Sequence, residues 1–169
     1  VLAVGADFLE SGPAALRDAR AWAKARRAED AADVPRLYAV EARWTATGAA
    51  ADHRLAAKHA DHGAIAGAVA KALSAGAPGP ASPIDAALGD AGELPAAWQA
   101  FARACAGDLA RAGKAGLVVA DPSAPPELQA LAWAMNERLG SEAIEWIRSP
   151  VLDAGNDDRG IDALMDRLH

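Results

Sequence analysis

The sequence predicts an α/β domain of Rossmann-like, three-layer αβα type with a mainly parallel sheet. Three observations lead there. The apolar runs Val1–Val4, Leu37–Val40 and Ala115–Ala120 are too short for helices and end in polar or turn residues, as strands buried on both faces do. Between them lie longer stretches with apolar residues three and four positions apart, the period of an amphipathic helix. The order β-α-β-α-α-β-α-β-α then places parallel strands side by side, with right-handed crossover helices covering them.

The first strand, Val1–Val4, runs into Gly5-Ala6-Asp7. Pro13 suits the first turn of a helix, which extends to about Arg27 with Leu16, Ala19 and Ala23 on one face. Residues 29–35 connect it to the second strand, 36–43. A helix from about Asp61 carries Ile65, Val69 and Leu73, and Gly76 stops it. The stretch 75–92 is rich in Ala, Gly and Pro without sustained periodicity, so it reads as a flexible surface loop. Leu94, Trp98, Phe101, Cys105 and Leu109 mark the next helix, ending near Gly113. The third strand, 115–120, closes at Asp121-Pro122. Leu128, Leu131, Met135 and Leu139 mark a helix stopped by Gly140; a fourth strand is expected over 143–148. A last helix, capped within 156–158, carries Ile161, Leu164, Met165 and Leu168.

A chain of 169 residues suits one domain, 1–169, with a sizeable core. Hydrophobic residues make up 52% but aromatic ones only 5%. The core must therefore rest on a modest set of Leu, Val, Ile and Trp among many alanines. The net charge of −6 argues against a nucleic-acid groove or a basic membrane-surface patch. No apolar run approaches the roughly 20 residues that cross a bilayer, so no direct membrane insertion is expected. The single cysteine, Cys105, cannot form an internal disulfide or hold an iron–sulfur cluster by itself. It shares a helix face with Trp98 and Phe101, which predicts that the three are buried together and that Cys105 is a packing residue rather than a nucleophile. The chain opens inside a strand without Met and ends inside a helical pattern. A fragment of a longer protein is the expectation.

Open α/β sheets receive ligands at the carboxyl ends of their strands, so those ends carry the candidate chemistry. The first strand leads into Gly5-Ala-Asp-Phe-Leu-Glu-Ser-Gly12, which lacks the closely spaced glycines of a dinucleotide turn. Asp7 and Glu10 would repel a phosphate. Glu41 ends the second strand, where an acid can accept hydrogen bonds from a ribose. It can equally be solvated or paired with a neighbouring Arg. Thr45-x-Thr47-Gly48 follows, with hydroxyls that could hold the turn or touch a ligand. His53, His59 and His62 lie near Asp52 and Asp61. Their loose spacing without a nearby cysteine points to polar surface or a helix start, not zinc.

The run from Leu37 through Glu41, Thr45-x-Thr47-Gly48 and Asp52-His53-Arg54-Leu55 resembles the molybdopterin oxidoreductase family. It is most similar to the iron–sulfur/molybdopterin-like large subunits of alternative complex III, a respiratory quinol-oxidising assembly. Leu117–Gly140, with its strand-end Asp121-Pro122 and its Asn136-x-x-Leu139-Gly140 helix end, is similar to the family too. The resemblance covers nearly the whole chain and is weak over 76–94. It implies that Asp7, Glu41, Thr45, Thr47 and Gly48 occupy cofactor-binding positions, here vestigial, with no catalytic or metal residue in this chain. Three departures fit such a loss. Asp7 stands where the family has Asn, Glu41-Ala42-Arg43 replaces Asp-Pro-Arg, and 58–63 replaces a Pro-Gly-Thr-Asp stretch.

The implied function is an α/β domain of a respiratory electron-transfer subunit. It would serve as scaffold and docking surface, with no activity expected of the isolated chain and no bound molybdenum cofactor. Molybdopterin guanine dinucleotide and iron–sulfur clusters would belong to the parent protein. Its partners would be the other domains of that parent and respiratory-complex subunits. The place would be the periplasmic side of a bacterial inner membrane, with the cytoplasm as the alternative. Two other readings stand beside it: a domain of an active enzyme contributing to a pterin-guanine-dinucleotide site, and an independent nucleotide-binding module.

Overall fold

The computed structural model describes residues 1–27, 34–75, 94–144 and 165–167. In chain order the elements are β1 (Leu2–Val4), α1 (Ala15–Ala25), β2 (Tyr38–Glu41), α2 (Ala46–Ala49), β3 (His53–Ala56), α3 (His62–Ala75), α4 (Ala96–Ala112), β4 (Val118–Ala120) and α5 (Pro126–Leu139). The four strands form one all-parallel sheet in the order β3-β2-β1-β4. The fold is α/β and is compatible with a Rossmann-like αβα arrangement. Strand order reverses at β1: β2 and β3 lie on one side of it, and β4 returns on the other. The crevice rule for such sheets therefore points to the carboxyl ends of β1 and β4.

One face of the sheet carries Leu2, Val4, Tyr38, Val40 and Val118 against α3, α4 and α5, through Ile65, Val69, Leu73, Cys105, Leu109, Leu131 and Met135. The other face is thinner. Ala3, Ala6 and Leu37 meet the half-buried Phe8, Leu9 and Trp22. Alternation sends Leu2 and Val4 of β1 and Tyr38 and Val40 of β2 to the first face; Ala3 of β1 and Val119 of β4 go to the second.

The structure departs from the sequence reading in four places. First, β3 was not anticipated. His53-Arg-Leu-Ala56 is polar and half exposed because it is the margin of the sheet, and an edge strand lacks the continuous apolar run of an interior one. Its register is set from outside the strand. The Asp52 carboxylate accepts the Leu37 amide at 2.8 Å and bidentate bonds from Arg26 at 2.9 Å. That ties the end of α1 to the start of both β2 and β3. Second, the strand expected over 143–148 falls mostly outside the described residues. Ala143 lies in a turn, and Ile144 is outside any strand. Third, α1 buries none of its residues. Leu16 is exposed, and Trp22 makes the contact with the sheet, since a face of alanines accepts one large ring better than a row of small side chains. Fourth, Trp98 and Phe101 are only half buried, although Cys105 on the same stripe is fully enclosed. They sit nearer the amino-terminal end of α4, at the margin of the core. The last expected helix is described only at 165–167, which are helical and exposed; the loop expected over 75–92 lies outside the described residues apart from Ala75, the last residue of α3.

Asn136, buried on α5, gives the Asn136-x-x-Leu139-Gly140 helix end a physical role. The Val118 amide donates to its Oδ1 at 2.8 Å, and its Nδ2 donates to the Val118 carbonyl at 2.7 Å. The neighbouring residues of β4 bond to β1, so Val118 points its backbone groups away from the sheet. A side-chain amide stands there in place of another strand. Gly140, with φ 62°, closes α5 in the left-handed conformation that glycine adopts without strain.

Candidate functional site

The carboxyl ends of β1, β2 and β4 surround an open crevice of about 230 Å³. Asp7 comes from the turn after β1, Glu41 and Thr45 from the end of β2, and Asp121 from the end of β4; Arg43 and His59 also line it.

The residues singled out from sequence at the β2 side come together, and they bond to one another. Thr45 is the N-cap of α2: its Oγ1 accepts the Gly48 amide at 3.0 Å and donates to Glu41 Oε2. The other Glu41 oxygen, Oε1, accepts Arg54 Nε. Glu41 is 4% exposed and Thr47 0%, so neither is a solvated surface group. The Arg54 guanidinium lies 4.2 Å from the centroid of the Trp44 ring. Thr47 donates its amide to Asp7 Oδ1 at 3.0 Å and its hydroxyl to the same oxygen at 2.8 Å. Its Oγ1 also accepts the Leu9 amide at 3.2 Å. The Thr-x-Thr turn thus holds β1's exit loop to β2's exit loop. Gly48 is required by close approach, because a Cβ there would run into the Glu41 carboxylate.

The β4 side is arranged differently. Asp121 Oδ1 accepts both the amide and the hydroxyl of Ser123 at 2.7 Å. Those bonds hold its carboxyl below the usual carboxylate range, against burial and aided by His59 and His62. The second oxygens of Asp7 and Asp121 accept no hydrogen bond among the described residues. Sequence reasoning placed the candidate site at β1 and β2 and passed over Asp121 as a strand-end turn. The signal that could have found it is the strand order: had β4 been placed beside β1, its terminal acid would fall on the switch point.

The three histidines separate. His53 is exposed and stacks on Tyr38 at 4.6 Å. His59 is exposed at the crevice. His62 takes the second of the two roles the sequence offered, a helix start: it is the first residue of α3, 3% exposed, under the β1 turn. Its Nε2 lies 3.3 Å from the Ala57 carbonyl, and its ring lies 5.0 Å from that of His59. Burial pulls its pKa below the usual histidine value, opposed by the Ala57 hydrogen bond. Among the described residues, no group of three His, Cys, Asp or Glu side chains is arranged to hold a metal ion. No described helix is long and apolar enough to cross a membrane. Burial pushes the Cys105 thiol up to about 12, so it stays a neutral packing residue at neutral pH.

No protein-family model matches this chain, and no curated protein matches it.

Proposed function

We propose that this chain is an α/β scaffold domain of a molybdopterin-oxidoreductase-like respiratory subunit, a domain that keeps the cofactor-receiving architecture without receiving the cofactor. The proposal includes the three-layer arrangement, the origin of the chain as part of a longer protein and its docking to other respiratory subunits. The family rests on the resemblance in 37–55 and 117–140. The scaffold reading rests on one observation: the groups at the family's cofactor positions are turned on each other. Asp7 is engaged by Thr47, Glu41 by Arg54 and Thr45, and Gly48 packs against the Glu41 carboxylate. A pterin-guanine dinucleotide would have to displace those bonds. Its pyrophosphate would then face two carboxylates without a glycine-rich run of amides to receive it.

Calorimetry with GDP and with NAD tests this reading, and no measurable heat is expected. Micromolar binding of GDP that disappears in Thr47→Ala or Glu41→Ala would replace it with the cofactor-bearing alternative. The 230 Å³ crevice at the switch point is the observation that favours that alternative. Purification of the tagged parent protein from membranes tests the docking half, with membrane subunits of a quinol-oxidising complex expected to accompany it in fixed proportion.

A further inference from the structure

We propose that His62 and Asp121 form a proton-operated latch under the crevice, one that moves the β1 exit turn when His62 gains a proton. The geometry carries this inference. His62 Nε2 faces the Ala57 carbonyl, which only accepts, so Nε2 carries the hydrogen of the neutral ring and Nδ1 is bare. Nδ1 lies under Gly5: a Cβ built on Gly5 would sit 3.2 Å from Nδ1 and 3.3 Å from Asp121 Cβ. The space left by the absent side chain of Gly5 therefore lies between the imidazole and the Asp121 side chain. Its φ of 68° already demands glycine.

A proton taken from solvent onto Nδ1 creates a buried cation with a new donor, and a buried donor needs an acceptor. The acceptor at hand is the second carboxylate oxygen of Asp121, since the first is held by Ser123. The charged groups acting on His62 are His59 and Asp61 from the turn before α3 and Asp121 from the end of β4. His59 opposes the proton; the two acids favour it. For Nδ1–H to meet the carboxylate, the ring and the Asp121 side chain close on the space beside Gly5, and that closure bears on the Gly5 backbone. That turn continues into Asp7, which holds the amide and hydroxyl of Thr47. One proton is in this way transmitted to the rim of the crevice. The latch does not depend on the scaffold reading and would operate in a cofactor-bearing domain as well.

The test is an NMR titration of the isotope-labelled chain from about pH 8 to about pH 4.5, a range that spans ordinary histidine behaviour. The His62 ring and the amides of Gly5, Asp7 and Thr47 are expected to move on one curve, with a midpoint below about 6.5. His62→Gln should abolish that step in the three amides. His59→Gln should raise the His62 midpoint, and Asp121→Asn should lower it. A Gly5 or Asp7 step that persists in His62→Gln overturns the proposal, as does a His62 ring that titrates while those amides stay still. Should His62→Gln fail to fold, Asp121→Asn decides: an unchanged His62 midpoint refutes the latch.

Discussion

At the amino-terminal end of the strands one carboxylate, Asp108, gathers three side chains. It accepts the Tyr38 hydroxyl at 2.7 Å, Arg36 at 2.9 Å and Arg111 at 2.6 Å. At the carboxyl-terminal end three carboxylates stand around a crevice. Glu41 is enclosed with Arg54, whereas Asp7 and Asp121 each keep one oxygen without a hydrogen bond among the described residues. Asp108 ties helix α4 to strand β2 and lies outside that crevice. Its two arginines are mostly exposed and can leave it without burying a charge. At the other end, geometry rather than charge is the constraint, because Gly48 and Gly5 stand where a side chain would collide. One end of the sheet is fastened by hydrogen bonds that can be removed singly. The other is fitted by shape and responds to single atoms.

A large effect should follow from the smallest substitution. Gly48→Ala would raise intrinsic helix propensity, yet its methyl group would strike the Glu41 carboxylate, which cannot retreat because Arg54 and Thr45 hold it. Overpacking of this kind costs about 3 kcal/mol. Chemical denaturation checks it, and a loss below that of an ordinary surface substitution would show that the β2 end is not closed by shape.

Asp108→Asn should come next. Burial alone would raise this carboxyl, but the bonds from Tyr38, Arg36 and Arg111 prevail and hold it at about 2, below the ordinary 3.8. The group is 16% exposed, so the shift corresponds to about 2 kcal/mol of stability. The sign follows from the depressed folded value. The contribution is complete above about pH 4, where the unfolded carboxyl is also ionised, and is lost as pH falls through about 2. The stability difference between the wild-type chain and Asp108→Asn should therefore be largest at neutral pH and shrink below about pH 4. A constant difference would mean that Asp108 acts by packing.

Much of this contrast was legible beforehand, and the illegible parts have a common cause. The interior strands β1 and β2 declared themselves, as did edge strand β4, whose outer side Asn136 and α5 cover, because burial on both faces demands an unbroken apolar run. Ile65, Val69 and Leu73 did so because a helix packed on one side repeats its apolar residues. Edge strand β3 was hidden, since His53 and Arg54 face solvent and a partner rather than the core. The positions Asp7, Glu41, Thr45, Thr47 and Gly48 were legible as a group, and so was the choice between turn and ligand roles. That Glu41 would take Arg54 was not, because the pairing crosses from β2 to β3. Asp108 was missed for a similar reason: two of its three donors, Tyr38 and Arg36, lie about 70 positions away. The half burial of Trp98 was missed because periodicity fixes which stripe a residue occupies, not how far along the helix the core extends.

Trp98 gives the third test. A fully buried tryptophan replaced by alanine loses about 3–5 kcal/mol. Half burial at the margin of the α4 core predicts about 2 kcal/mol, with no effect on the crevice at the far end of the strands. A greater loss would place the core's edge further along α4 than the structure has it.

The smallest effect should come from Trp44→Ala. Trp44 is 70% exposed and stands at the crevice end, stacked on Arg54. Two causes could hold Arg54 in place: the aromatic ring above it or the buried carboxylate beside it. A cation–π contact at an exposed site is worth about 0.5–1 kcal/mol, while removal of one partner of a buried ion pair costs about 3–5 kcal/mol. Arg54 is itself only 21% exposed and Glu41 5%, so the ion pair belongs to the second class. Trp44→Ala should lower stability by about 0.5 kcal/mol and leave the Glu41–Arg54 pair intact. Arg54→Ala, which leaves Glu41 buried without its cation, should cost several times more. Equal losses in the two variants would show that the ring and the ion pair act as one unit, so that the carboxyl-terminal end, like the amino-terminal one, is fastened by a polar cluster rather than by shape.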